Sequence, residues 1–204
     1  MNNLERILGD IHIIRRQVAQ TTEFRGYGPA TLASTGALAI AAAAAQMLWI
    51  PDPANHVVAY LALWGMTAVL SAALIGMEMY ARTRRIHTGL ADEMLRMAVE
   101  QFLPAVGVGA VMTLVVARFV PGSVWMLPGL WQLIYALGVF SSCRFLPRLM
   151  LAAGVWFTLT GLTSISLADE RALSPWMMGI AYGAGQVLIA GILLATGREG
   201  DDGA

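Results

Sequence analysis

Apolar residues in this chain neither alternate nor keep a clean helical period; they come in long blocks separated by charges. Between successive charged residues lie uncharged runs of 26 residues (26–51), 25 (53–77), 17 (101–117), 25 (119–143), 20 (149–168) and 26 (172–197). A helix needs about 20 apolar residues to cross the hydrocarbon core of a bilayer, with a range of roughly 17 to 25. Six transmembrane helices are therefore expected, at approximately 29–50, 57–79, 100–119, 124–143, 147–167 and 175–196. The fold class that follows is all-α: a polytopic membrane helical bundle, its six helices forming three tandem hairpins.

The segment ahead of the first span has a different texture. In "NNLERILGDIHIIRRQVAQ", Asn2 followed by Glu5 resembles a capping box, and Leu4, Ile7, Leu8, Ile11, Ile14 and Val18 share one face of a helix. Ile13 falls on the opposite face and Arg15 interrupts the stripe. An amphipathic helix lying in the headgroup region, with Arg15 and Arg16 near anionic lipid, accounts for this pattern. A short coiled-coil seam built on 4, 7, 11, 14 and 18 is the competing reading, but two heptads specify a coil poorly. The chain thus divides into a cytoplasmic amphipathic helix (1–25), a transmembrane domain (26–197) and an acidic tail (198–204) expected to be disordered. The charged start is unlike the apolar core of a cleaved signal peptide, so no processing is expected.

Charge turns the helix pattern into a topology. All thirteen basic residues are arginine, and arginine-rich loops stay on the cytoplasmic side. Eleven of them fall before span 1, between spans 2 and 3, between spans 4 and 5, or after span 6; only Arg118 and Arg171 lie opposite. Both termini are therefore expected in the cytoplasm. The outer connections "PDPANH" (51–56), "VPGS" (120–123) and "LADERALS" (167–174) are short, so a protein partner would dock from the cytoplasmic side.

Composition agrees: 57% of residues are hydrophobic and 13% charged, against about a quarter charged in soluble domains. A net charge of zero gives no case for nucleic acid. The single cysteine, Cys143, forms no internal disulfide, and His12, His56 and His87 are dispersed outside the spans, so no metal or cofactor is expected. Ser141, Ser142 and Cys143 have no histidine in their span to activate them, and no enzymatic activity is expected.

Short matches suggest an internal repeat. "FLP" at 102 returns at 145, "WM" at 125 returns at 176, and "GLWQLI" at 129 is echoed by "GAGQVLI" at 183. The first hairpin shares "YGP" at 27 and "WGM" at 64, but no glutamine in the matching place.

Candidate chemistry is sparse. The stretch "TGLADEMLRMAVEQ" reads as a helix running into span 3, which puts Pro104 inside it; a proline there leaves the carbonyl of Glu100 unpaired and kinks the helix. An acid and a free carbonyl at one level would suit a cation or proton. Arg96, however, stands within reach of both Glu93 and Glu100, so an ion pair is the simpler role. Gln132 and Gln186 sit deep in spans 4 and 6, each three residues after a glycine; such amides serve as interhelical glue or as ligands for a solute. Arg118 stands near the outer mouth. Gly179 with Gly183, and Ala33, Ala37, Ala41 and Ala45, are expected to be close-packing surfaces.

Two stretches, "IRRQVAQTTEF" (14–24) and "LSPWMMGIAYGAGQ" (173–186), are similar to those of small uncharacterised six-helix bacterial integral membrane proteins. The resemblance implies a multi-pass place in the bacterial cytoplasmic (inner) membrane and implies no activity. The function expected is non-enzymatic: association with the lipid bilayer, with further copies as a homo-oligomer, or with a cytoplasmic protein partner, as an accessory or sensing subunit. The alternative is a small-solute, ion or proton transporter using Glu100, Gln132, Gln186 and Arg118.

Overall fold

A computed structural model describes residues 28–85, 90–142 and 149–201, with side chains described over 28–81, 103–141 and 149–195. Among the described residues the chain is all-helical. The six helices are α1 (Pro29–Trp49), α2 (Val57–Arg85), α3 (Leu90–Phe119), α4 (Leu127–Ser142), α5 (Met150–Ser166) and α6 (Pro175–Asp201). Short 3-10 turns at Pro121–Met126 and Glu170–Leu173 precede α4 and α6. Four helical stretches, Pro29–Trp49, Val57–Ala81, Pro121–Ser141 and Pro175–Ala195, are long and apolar enough to cross a membrane. Shorter apolar helices lie at Leu103–Phe119 and Met150–Ser166. The expected amphipathic helix, with Leu4, Ile7, Ile11, Ile14, Arg15, Arg16 and Val18, lies outside the described residues, as do Pro147 and the final residues of the tail.

Helix starts follow their prolines. Pro29 occupies the first position of α1, where its missing N–H costs nothing, and Pro175 opens α6 in the same way. The end of α1 next to Pro29 has no capping side chain of its own. Glu78 of α2 supplies one, its Oε2 accepting from the Gly28 N–H at 3.2 Å. A side chain at Gly28 would occupy the place of that carboxylate, which explains the glycine in "YGP". Pro104 lies inside α3, whose helix continues on both sides of it.

Packing is uneven around the bundle. The most extensive contacts join the first and last helices, α1 with α6, and the fourth and fifth, α4 with α5. Both pairs are antiparallel and meet through glycine. A Cβ on Gly36 would stand 2.9 Å from the Gly183 carbonyl oxygen, and one on Gly129 would stand 2.6 Å from that of Gly161. Successive helices within α1/α2, α3/α4 and α5/α6 touch to a similar, smaller degree, whereas α2 and α3 barely meet.

The alanine stripe expected to pack is displaced. Ala33, Ala37 and Ala41 are exposed and Ala45 is half-buried, while the face against α6 includes Leu32, Gly36, Ala39, Ile40 and Ala43. Strict four-residue spacing drifts around an α-helix, and a segment of nearly uniform alanine has no polar contrast to fix its phase. Gly179 and Gly183 do pack, against Ala43 and Ile40 respectively.

Candidate functional site

The centre of the bundle contains two apolar clusters and a set of uncharged polar groups. One cluster, near the end that bears the connections 50–56, 120–126 and 167–174, includes Ala43, Tyr60, Trp64, Leu127, Leu173 and Met178. The other includes Leu32, Ala136, Val139, Met150, Phe157 and Ile189. Tyr182 packs against both. Apart from tyrosine hydroxyls such as that of Tyr60, the buried polar residues among those described are Thr35, Gln46, Gln132, Ser164 and Gln186, none of them ionisable.

Three glutamines do different work. Gln46, fully buried in α1, is satisfied on both sides of its amide. Its Nε2 donates to the Leu173 carbonyl at 2.7 Å, and its Oε1 accepts from the Trp64 indole N–H at 2.8 Å. One side chain thereby clasps α1, α2 and the turn before α6. Gln132 of α4 donates from Nε2 to the Met177 carbonyl of α6 at 3.2 Å, beside the Met178 sulfur. Gln186 of α6 donates from Nε2 to the Tyr135 hydroxyl of α4 at 2.9 Å. Gln132 and Gln186 therefore bridge the same two helices from opposite sides, and they do not bond each other. Their anchor points on α6, residues 177 and 186, lie more than two helical turns apart.

The amide oxygens of Gln132 and Gln186, and the hydroxyls of Tyr60 and Ser164, are buried with no hydrogen-bond partner among the described residues. Burying an amide or hydroxyl without a partner costs on the order of 1–3 kcal/mol, so four such groups in one bundle call for a reason. Aromatic rings wall this region. Tyr60 stacks on Trp131 at 6.4 Å, Tyr135 lies 4.5 Å from Phe157, and Tyr182 meets Tyr135 edge-on at 5.6 Å. The Trp131 N–H donates to Thr113 of α3 at 2.8 Å, and the Trp156 N–H donates to the Ala181 carbonyl at 2.9 Å.

Of the residues singled out from sequence, the structure brings Gln132 and Gln186 to one helix pair. Arg118 is exposed, in the last turn of α3, where its charge complements the carbonyl end of the helix dipole. The backbone of Glu100 belongs to α3, and its side chain lies outside the described atoms. Gln46, Tyr60, Tyr135 and Ser164 take part without belonging to any repeated motif. Gln46 was within reach of the criterion that identifies the other two glutamines, an amide inside an uncharged run. No cluster of three or more histidine, cysteine or carboxylate side chains suited to a metal occurs among the described residues.

No protein-family model matches the chain, and neither a curated protein nor a solved structure is significantly similar to it.

Proposed function

We propose that this chain is a non-enzymatic integral membrane protein of the bacterial inner membrane that acts by helix–helix association. All six helices would span the bilayer as three tandem hairpins, with both termini in the cytoplasm. The observation that carries this reading is an asymmetry between hairpin junctions. The α4/α5 and α6/α1 junctions are closed by glycine-mediated contact, whereas the α2/α3 junction is open. Gly65 and Gly76 of α2, and Gly107 and Gly109 of α3, face open space. Only 17% of the α2 spanning window is buried, against 39, 44 and 50% for the other three. Glycines that pack on nothing give lipid chains little to contact, while they let another helix approach closely.

Subunit counting by single-molecule photobleaching in native-lipid particles tests the association. Oligomers or a stoichiometric partner are expected for the full chain, and deletion of residues 1–25 is expected to release a cytoplasmic partner. A lone subunit at every protein-to-lipid ratio, with nothing co-purifying, would sink the reading.

A second reading, passage of a small solute, is supported by the unpartnered amide oxygens of Gln132 and Gln186 at the α4/α6 contact. Uptake of a labelled neutral solute into proteoliposomes, compared between the wild type and Gln186→Met, tests it.

A further inference from the structure

The six tryptophans divide by position and by what their N–H groups meet. Trp64, Trp131 and Trp156 lie within helices, and each donates to a protein acceptor: the Gln46 amide oxygen, the Thr113 hydroxyl and the Ala181 carbonyl. Trp49, Trp125 and Trp176 donate to none among the described residues. Trp49 is the last residue of α1, Trp125 belongs to the 3-10 turn before α4, and Trp176 is the second residue of α6. All three therefore stand at the end that bears the connections 50–56, 120–126 and 167–174. Trp49 is 78% exposed and Trp176 42%, and the N–H of half-buried Trp125 is not enclosed by protein. Gln46, one turn before Trp49, bonds the Leu173 carbonyl, which lies just ahead of Trp176. That bond keeps the two exposed rings within about one helical turn of the same level.

An indole has an apolar body and one polar donor. In hydrocarbon each of these N–H groups would lose its partner, and in water each exposed ring would keep its apolar area wet. Both costs vanish at the boundary between acyl chains and headgroups, where lipid ester and phosphate oxygens accept and where tryptophan is enriched. The length of α1 supports that boundary independently. Its 21 residues from Pro29 to Trp49 span about 32 Å, close to the hydrocarbon thickness of about 30 Å. At its far end the Glu78 carboxylate, a group costly inside hydrocarbon, meets the Gly28 N–H. We infer that Trp49, Trp125 and Trp176 form a belt whose partner is the headgroup boundary of one leaflet, with the second boundary at the level of Gly28 and Glu78. Gln186 then lies about 15 Å deeper along α6 than Trp176, near the bilayer centre. This placement rests on the membrane-spanning part of the proposed function and is independent of association.

The test uses the full chain in lipid nanodiscs, its tryptophans replaced biosynthetically by fluorotryptophan and observed by fluorine NMR. Each signal is assigned by the one Trp→Phe substitution that removes it. Relaxation is compared for a nitroxide just below the lipid ester carbonyls, a nitroxide at the acyl chain end and a water-soluble gadolinium chelate. Val187→Trp, at a 57% exposed position next to Gln186, adds a signal at mid-depth. Leu159→Trp, at an exposed position halfway along α5, takes its place if that variant fails size exclusion. The expected result is that Trp49, Trp125 and Trp176 relax about threefold faster with the nitroxide below the carbonyls than with either other probe. The added tryptophan should relax fastest with the nitroxide at the chain end. If the three native signals respond most to the gadolinium chelate, this end stands outside the bilayer as a surface for another protein, and the belt is overturned. It is equally overturned if they respond most to the chain-end nitroxide. In either case an added tryptophan that still answers the chain-end probe leaves the membrane-spanning reading standing. An added tryptophan blind to both lipid probes would end that reading and the belt with it.

Discussion

At the scale of single residues, the same amide does opposite things depending on whether its oxygen is used. Gln46 satisfies a carbonyl and an indole N–H that have no other partner among the described residues. Gln46→Met should strand both and lower stability by about 1–3 kcal/mol. Gln132→Met loses one long hydrogen bond and also removes a stranded oxygen, so its cost should stay within about 1 kcal/mol. Denaturant unfolding in mixed micelles compares the two, and equal losses would show that the two amides are equivalent. In the first loop, hydrogen bonds from the Asn55 side-chain amide and backbone N–H hold the Asp52 carboxyl below its ordinary value. A carboxyl depressed on folding contributes stability above its unfolded pKa, and that contribution is lost as the pH falls through the folded value. Asn55→Ala should return Asp52 toward the usual carboxylate range, as followed by carboxyl carbon shifts in an acid titration.

At the scale of elements, helix existence was legible and helix faces were not. Uncharged runs marked all six helices, of which four include a stretch long and apolar enough to cross a membrane, while Leu103–Phe119 and Met150–Ser166 are shorter apolar helices. The ends differ for a physical reason: charge marks the membrane boundary, and a helix need not stop there. Helix α2, expected to end at 79, continues to Arg85, and α6, expected to end at 196, continues to Asp201. The α3 helix was readable back to Leu90 from the stretch "TGLADEMLRMAVEQ" running into span 3, and Pro104 was readable as internal. What uniform alanine concealed was the phase of α1. Glycine neighbours now distinguish packed from open positions. Gly36→Ala and Gly129→Ala place a methyl group against backbone oxygen, which cannot rotate away, and each should cost about 1–3 kcal/mol. Gly191 lies in open space on α6, so Gly191→Ala should instead stabilise by about 0.5–1 kcal/mol. Thermal unfolding of the three variants checks the signs. Ala168, at the end of α5, has a positive φ. That left-handed conformation costs a non-glycine residue about 1–2 kcal/mol. Ala168→Gly should recover part of it, seen as a raised Tm.

At the scale of the whole molecule, the open α2/α3 junction has a consequence separable from protomer stability. Val106, Val111 and Leu114 on α3, with Met66 and Val69 on α2, are more than half exposed. The glycines among them touch nothing, so larger side chains can be placed there without disturbing the protomer. The association proposed for this junction would depend on close backbone approach, which a bulky side chain prevents. Gly65→Leu together with Gly107→Leu should therefore leave the unfolding midpoint of the isolated chain unchanged and reduce energy transfer between donor- and acceptor-labelled copies in liposomes at least tenfold. Gly191→Leu adds the same bulk to an open site on α6, away from the junction, and should leave transfer intact. Equal loss from both substitutions would point to nonspecific crowding in the bilayer. Undiminished transfer in the α2/α3 variant would move the contact to another face.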